Sequence, residues 1–142
     1  MIVNTEKIKL NKFGLNKTVS VRMTMGQFDK MNELGINLLE HDKFMLENSE
    51  DMEALESMLE ERKIKNLMIG FVQDMFSLSD EEIETIQDSI NNAQFKEAFS
   101  YITDRLRGVT DKEYQLAVKQ EKILREKEEQ EDPKDISVES AD

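Results

Sequence analysis

Adjacent carboxylates are the residues of this chain with the most obvious potential for chemistry. They occur at Glu60-Glu61 and at Asp80-Glu81-Glu82, and general acid–base catalysis uses such groups when a cleft shifts their pKa values. Here both sets lie in strongly polar runs, where solvated helix faces account for them. The pattern therefore predicts no catalytic residue.

His41 is the single histidine, and its neighbours Glu40 and Asp42 are possible metal ligands. Adjacent side chains on a helix project in different directions, whereas zinc sites need three or four converging ligands. The absence of cysteine excludes thiolate nucleophiles, disulfides and Cys-ligated zinc. The five glycines are too far apart for a phosphate-binding loop. We expect no metal, no cofactor and no enzyme activity.

Methionine is frequent, with nine residues in a chain of 142. Methionine fills irregular cores and also lines surfaces that accept varied apolar segments. The helical spacing of the methionines favours packing in the core. Three of them lie within the acidic segment Glu40–Glu61, and these are expected to lie outside the core. With a neighbouring leucine they form the predicted partner-binding surface: Met45, Met52, Met58 and Leu59. An apolar groove with an acidic rim suits an amphipathic, basic partner helix.

Charge is unevenly distributed along the chain, whose net charge is -12. Met1–Lys30 has six basic and two acidic residues (+4), Glu40–Glu61 has one lysine and nine acids (-8), and Glu126–Asp142 has two lysines and eight acids (-6). Patches of opposite sign can steer a partner or drive self-association, although like-charge blocks are often only solvated faces. The excess negative charge opposes binding to nucleic acid or anionic membranes.

Targeting signals are not evident. No apolar run approaches the roughly 20 residues of a membrane span, and residues 1–12 lack the apolar stretch and cleavage site of a signal peptide. We therefore expect a cytosolic protein.

The N-terminal segment alternates between apolar and polar residues, which predicts a β-hairpin over Glu6–Met23. An isolated hairpin is marginally stable in water, so it must pack on helices. Gly35 is expected to bend or interrupt the first helix, and the apolar run Ile64–Phe76 is expected to be the central core helix. Helical spacing and capping residues predict helix starts at Thr24, Ser49, Ser79 and Thr110, with a further helix over Phe95–Leu106.

The predicted fold class is α+β and mainly α, with an N-terminal β-hairpin packed on four or five helices and a disordered acidic C-terminal tail. Residues 1–108 form the hairpin and helical core domain, and residues 109–131 form a polar C-terminal helix. Residues 132–142 form the tail, because Pro133 opposes continuation of the helix and the segment combines high charge with low hydrophobicity.

The order of these parts resembles the tail assembly chaperones of long-tailed phages and prophages of Gram-positive bacteria. The resemblance covers Lys7–Gly108: a basic hairpin, a polar helical stretch, and an apolar helix that leads into Phe71–Ile83. In that family an apolar helix ending in Phe is followed by a Thr or Ser that starts a short acidic helix, and then by an Asp-Gly-Leu-like stop. This chain has Asp88-Ser89-Ile90 at the stop, without the glycine.

The resemblance implies a non-enzymatic protein of the host cell cytoplasm that is absent from the mature virion. Such chaperones coat and solubilise the tape-measure protein and recruit tail tube subunits, so these two proteins are the implied partners. Two alternatives stay open from the residues alone. One is an acidic regulator or DNA mimic, in which the carboxylates of Glu40–Glu61 imitate phosphates, and the other is a structural tail component.

Overall fold

The structure, a computed structural model, describes the backbone of residues 5–141 and the side chains of residues 5–129. In this part of the chain two strands precede five helices: β1 (Thr5–Lys9), β2 (Thr18–Arg22), α1 (Met25–Asn48), α2 (Ala54–Phe76), α3 (Asp80–Ser89), α4 (Asn92–Leu106) and α5 (Asp111–Ala141). The predicted mainly helical fold with an N-terminal hairpin is confirmed. The chain separates into two compact units, Met1–Leu106 and Arg107–Asp142.

The two strands pair in the antiparallel sense, with Thr5 opposite Arg22 and Lys9 opposite Thr18. Ile8 and Val21 are buried while the residues beside them are exposed or half-buried. The alternation read from the sequence therefore corresponds to one buried face of the hairpin, as a period of two requires.

The hairpin loop depends on Gly14. Its φ of +87° lies in the left-handed region, where a side chain is disfavoured. A Cβ atom at this position would also lie only 2.6 Å from the Cβ of Ser89, at the end of α3. Gly14 thus allows the loop both to turn and to approach the end of α3.

The core of the first unit lies where the hairpin and its loop pack against α2 and α4. The rings of Phe13 and Phe95 meet edge to face with centroids 5.6 Å apart, and those of Phe71 and Phe99 do the same at 5.9 Å. The largest fully buried side chains come from both the hairpin segment and the helices: Phe13, Phe76, Ile8, Leu10, Ile102, Leu106 and Val72. The hairpin therefore supplies a large share of the core.

Arg105 is a charged residue in this core, with a side chain that is 8% exposed. Its Nη1 lies 3.2 Å from Oε2 of Glu6, and its Nη2 donates a hydrogen bond of 2.7 Å to the backbone carbonyl of Lys7. These contacts join α4 to β1 and satisfy a cation that would otherwise be costly to bury. No local pattern in the sequence predicted them.

An interruption of α1 at Gly35 and a cap of α2 at Ser49 were both wrong. One helix runs through Gly35, and a bend there stays a prediction. Ser49 does not cap α2: it retains helical dihedral angles and ends α1, while Glu53 precedes the first turn of α2. The predicted cap at Thr24 is confirmed, since its Oγ1 accepts a hydrogen bond from the amide of Gln27.

The C-terminal end of α2 is the most deeply buried part of this helix. Val72, Met75 and Phe76 are buried, Leu67 is 36% exposed, and the other apolar residues of the run are half-buried: Ile64, Met68, Ile69 and Phe71. The predicted core helix Ile64–Phe76 therefore contributes its C-terminal end fully to the core and the rest only in part. Apolar composition marks a stripe that can be buried, but only the tertiary structure places elements over it.

The capping box predicted at Ser79 is confirmed, since Ser79 and Glu82 exchange side chain to backbone hydrogen bonds at the start of α3. At Thr110 the cap is confirmed without the reciprocal bond: Thr110 Oγ1 accepts a hydrogen bond from the amide of Glu113 and donates one to Oε1 of Glu113. Asn91 and Gln94 form an equivalent reciprocal pair before α4. Each pair satisfies amides that a helix start leaves without intrahelical partners.

Helix α5 is assigned as far as Ala141, past Pro133, whereas the sequence predicted a helix end near residue 131. The side chains of residues 130–142 lie outside the described residues. The disordered tail predicted for residues 132–142 therefore stays a prediction.

Candidate functional site

Helices α1 and α2 form an antiparallel helical hairpin, and two polar contacts join them. Lys30 Nζ lies 2.9 Å from Oδ2 of Asp74 near the open end, and His41 Nδ1 lies 3.4 Å from Oε2 of Glu60 near the closed end. His41 thus lies beside a carboxylate from the other helix as well as its neighbours in sequence. The contact with Glu60 is an ion pair only when the imidazole is protonated.

The closed end of this hairpin contains the four residues predicted to bind a partner. Met45 lies in the last turns of α1, Met52 in the connection, and Met58 and Leu59 in the first turns of α2. Met45 and Met52 are half-buried, whereas Met58 is 66% exposed and Leu59 is 45% exposed. The fold therefore places the four residues in one region but exposes only two of them widely.

An apolar surface on α2 extends beyond the predicted residues. Leu55 is 65% exposed, and at about 100° per residue it projects from the same side of the helix as Met58 and Leu59. This side is turned away from Glu60, which contacts α1. We call Leu55, Met58 and Leu59 the α2 patch.

The α2 patch is surrounded by negative charge. Glu40–Glu61, which we call the acidic tip, contains nine acidic residues and one lysine. All but one of these ten charged side chains belong to exposed residues, the exception being the half-buried Glu60. The arrangement combines exposed apolar side chains with a local net charge of -8.

A second exposed apolar surface lies on α1, and the sequence analysis did not identify it. Its members are Met25, Phe28, Ile36, Leu39 and Leu46, all classed as exposed, and we call them the α1 stripe. At about 100° per residue they fall within an arc of about 80°, on the opposite side of α1 from Lys30 and His41. Helix α1 also carries apolar residues on another face, where Met31 and Leu34 are buried, so the sequence could not select which of the two faces is covered.

Glu82, in the first turn of α3, joins this helix to the hairpin loop. Glu82 accepts a hydrogen bond of 2.9 Å from Lys17 Nζ in the hairpin loop and one from the amide of Ser79. The Lys17 ammonium and the Ser79 amide favour the carboxylate, and they lower the pKa of Glu82 below its ordinary value of 4.5. The residue thus links the hairpin to α3.

No group of three or more acidic or histidine side chains converges as a metal site in the part of the chain with described side chains. A cleft of about 200 Å³ lies beside α2, α3 and the start of α4. Its walls are largely aliphatic and aromatic, and Lys65 is the one charged residue among them. The lining residues are Lys65, Ile69, Val72, Ile83, Ile86, Gln87, Ile90, Asn91, Asn92 and Phe95. The cleft could accept an apolar side chain, but it brings together no acid–base pair.

Comparison with known proteins places this arrangement in a family. No curated protein and no solved structure matches the chain. None of the helices in the described part of the chain is long and apolar enough to cross a membrane. The family of phage tail assembly chaperone proteins, TAC, matches residues 6–129, which span the hairpin, α1 to α4 and most of the described α5. The chain therefore belongs to the family of phage tail assembly chaperone proteins.

Proposed function

We propose that this tail assembly chaperone coats the tape-measure protein, keeps it soluble, and recruits tail tube subunits during tail morphogenesis. The observation that carries the proposal is the exposed α2 patch within the acidic tip. We assign the contact with the tape measure to Met58 and Leu59, with Met45 and Met52 behind them and Leu55 extending the surface.

Apolar burial supplies the affinity in this proposal. The long helices of a tape measure carry apolar stripes that aggregate unless they are covered. Two of the four predicted side chains are methionines that are half-buried at the end of the helical hairpin, where their flexible thioethers can adapt to different segments. A surface that repacks in this way fits many sites along one long helix, as a coat requires.

Charge supplies the selectivity. A local charge of -8 on the acidic tip attracts helices with lysine or arginine beside their apolar stripe and opposes acidic helices. Because exposed charges are screened by salt, this contribution should weaken as the ionic strength rises, whereas the apolar contribution should persist. The proposed partner segment is therefore an amphipathic helix with basic flanks.

The direct test is co-expression with the tape-measure protein, followed by a solubility assay and pull-down. The unaltered chaperone should keep the tape measure soluble and co-purify in a many-to-one ratio. A double variant, Met58→Glu with Leu59→Glu, should lose both effects because it places two further carboxylates where apolar contact is needed.

A matched control is Leu124→Glu, since Leu124 is an exposed leucine of α5 outside the α2 patch. This control should retain tape-measure binding. If the double variant binds as well as the unaltered chain, the assignment to the α2 patch is wrong. If no complex forms with the unaltered chain at any salt concentration, the coating role itself is wrong.

Recruitment of the tail tube is assigned to the basic hairpin. Lys7 and Lys9 lie on β1 and are exposed, so they can contact an acidic surface of the tube subunit or of a neighbouring chaperone. Replacing both by glutamate should leave the complex with the tape measure intact but abolish capture of the tube protein. Equal loss from Lys119→Glu with Lys122→Glu in α5 would argue for a general charge effect instead.

The place of action follows from the same proposal. A protein that is displaced when the tube polymerises acts in the cytoplasm of the infected cell, in a Gram-positive host on the resemblance above, and leaves before the virion is complete. Mass spectrometry of purified particles should find the tube and the tape measure without this chain. Its presence at structural stoichiometry would indicate a tail component.

A further inference from the structure

We propose that the cleft beside α2, α3 and the start of α4 receives a second apolar side chain of the same partner helix that contacts the α2 patch. The inference rests on the coating role proposed above and deepens it, because it specifies how the partner helix lies and which side chains it carries. Three observations support it: a continuous face of α2, a reversal of charge along that face, and the cleft at its end.

One face of α2 leads from the α2 patch into the cleft. At about 100° per residue, five residues fall within an arc of about 80°: Leu55, Met58, Arg62, Lys65 and Ile69. The first two belong to the α2 patch, and the last two line the cleft. Glu60 and Asp74, which contact α1, project from the opposite side of α2. A partner helix that lies on this face therefore reaches the cleft about 16 Å beyond Met58.

The charge reverses along this face. The acidic tip ends at Glu61, and the next four positions contain three basic residues: Arg62, Lys63 and Lys65. Arg62 and Lys65 are exposed, and neither forms an ion pair with any side chain that the structure describes. These two cations can therefore pair with a carboxylate of the partner, whereas the acidic tip favours lysine or arginine.

The cleft suits an apolar anchor. Ile69, Ile83 and Phe95 line it and are half-buried, so an apolar side chain that enters its volume of about 200 Å³ removes further apolar area from water. Apart from Lys65, the polar residues of its lining are uncharged amides. A largely apolar cleft with a few polar groups is the usual form of a site that holds one anchoring side chain.

Together these observations define the partner helix. Its basic residues lie beside the acidic tip, a carboxylate follows beside Arg62 and Lys65, and a large apolar residue enters the cleft. Because both helices rise about 1.5 Å per residue, the residue in the cleft is about 11 positions from the one that contacts Met58. A uniformly basic helix is repelled at Arg62 and Lys65, so the order of charges selects the direction in which the partner lies.

Charge reversal tests the middle of this face. Lys65→Glu, co-expressed with the tape measure and an equal amount of the differently tagged unaltered chain, should be recovered on the tape measure about tenfold less, because an attractive contact becomes repulsive. Lys63→Glu is the matched control, since Lys63 is also exposed but projects about 100° away from Arg62, off the face. It should be recovered like the unaltered chain. Equal losses from the two variants would indicate a general charge effect and overturn the proposal.

Stability measurements exclude unfolding as the cause. Both lysines are exposed, so urea denaturation should show the same midpoint for the two variants and the unaltered chain.

Photo-cross-linking tests the cleft itself. The photo-reactive amino acid p-benzoylphenylalanine replaces either Met58, on the α2 patch, or Gln87, at the cleft, during co-expression with the tape measure. Mass spectrometry should find both positions attached to the same helices of the tape measure. The Gln87 sites should be displaced from the Met58 sites by about 11 residues, always in the same direction along the helix.

The outcomes separate this inference from the coating role. Cross-links from Met58 without any from Gln87, cross-links from Gln87 only to another copy of this chain, or displacements in both directions overturn the inference and leave the coating role intact. If the unaltered chain forms no complex with the tape measure, both are overturned.

Discussion

The β-hairpin with its loop and the acidic tip differ in how far their apolar side chains are buried. In the first region Ile8, Leu10 and Phe13 are fully buried against the helices. In the second, Leu46, Leu55 and Met58 are mostly exposed although they are equally apolar. The first region buries its apolar surface within the chain, and the second leaves it available to other molecules.

The difference shows that the residues that stabilise the fold and the residues proposed to bind a partner lie in different regions of the chain. Removing apolar area from water contributes about 25 cal/mol per Å², so the buried region supplies most of the folding free energy. The tip keeps the same kind of area exposed, and the contact between His41 and Glu60 joins its two helices. Substitutions should accordingly alter stability in one region and binding in the other.

The largest effect is expected from Phe13→Ala. This side chain is fully buried and its ring packs on Phe95, so its removal should cost about 3 to 5 kcal/mol of unfolding free energy, measured by urea denaturation. Leu46→Ala is the control at the tip and should change stability by less than about 0.5 kcal/mol. Equal losses at the two sites would remove the distinction between the regions.

A smaller loss is expected from Arg105→Met, which keeps the long apolar stem but removes the guanidinium. The carbonyl of Lys7 and the carboxylate of Glu6 would lose their donor, at a cost of about 1 to 3 kcal/mol. The double variant with Glu6→Gln should lose less than the sum of the two single changes, because the two residues interact. Strictly additive losses would contradict a coupled pair.

Gly14→Ala should destabilise the hairpin by about 1 to 2 kcal/mol from its positive φ alone, and by more because of the close approach to Ser89. Gly108→Ala provides the comparison, since its φ is also positive but its Cβ would meet no atom within 4 Å. The difference between the two variants in urea denaturation measures the contact with α3. A Gly14 variant no worse than the Gly108 variant would show that the loop can move away.

The smallest effect concerns pH. Because its folded pKa is lowered, Glu82 contributes stability above its ordinary value of 4.5, and this contribution is lost as the pH falls through the lower folded value. Glu82→Gln should therefore reduce the melting temperature slightly at neutral pH. The two proteins should converge in acid, and a difference that is constant with pH would exclude the linkage.

Local signals predicted much of this fold. The alternation of β1 and β2, the cap at Thr24 and the box at Ser79 each depend on residues within a few positions of one another, so they can be read without knowledge of the rest of the chain. The predicted start of α2 at Ser49 failed because a serine can either cap a helix or lie within its last turn. Tertiary context decided between these options.

The exposure of the candidate site was predicted in part, and its role in binding stays a prediction. The sequence located Met58 and Leu59 within the acidic segment, and the structure exposes both of them. The sequence did not distinguish these two residues from the half-buried Met45 and Met52. The sequence analysis also did not identify the α1 stripe. An apolar residue at helical spacing signals a face that can be covered, and only packing shows whether it is covered.

By itself, therefore, the sequence determined most of the elements, the caps at Thr24 and Ser79, and the uneven charge, since each depends on short-range chemistry. Only the tertiary structure decided that Arg105 meets Glu6 across 98 intervening residues, and that α2 covers one apolar face of α1 while the other stays exposed. Both outcomes depend on contacts between distant segments, and these form only when the whole core is assembled.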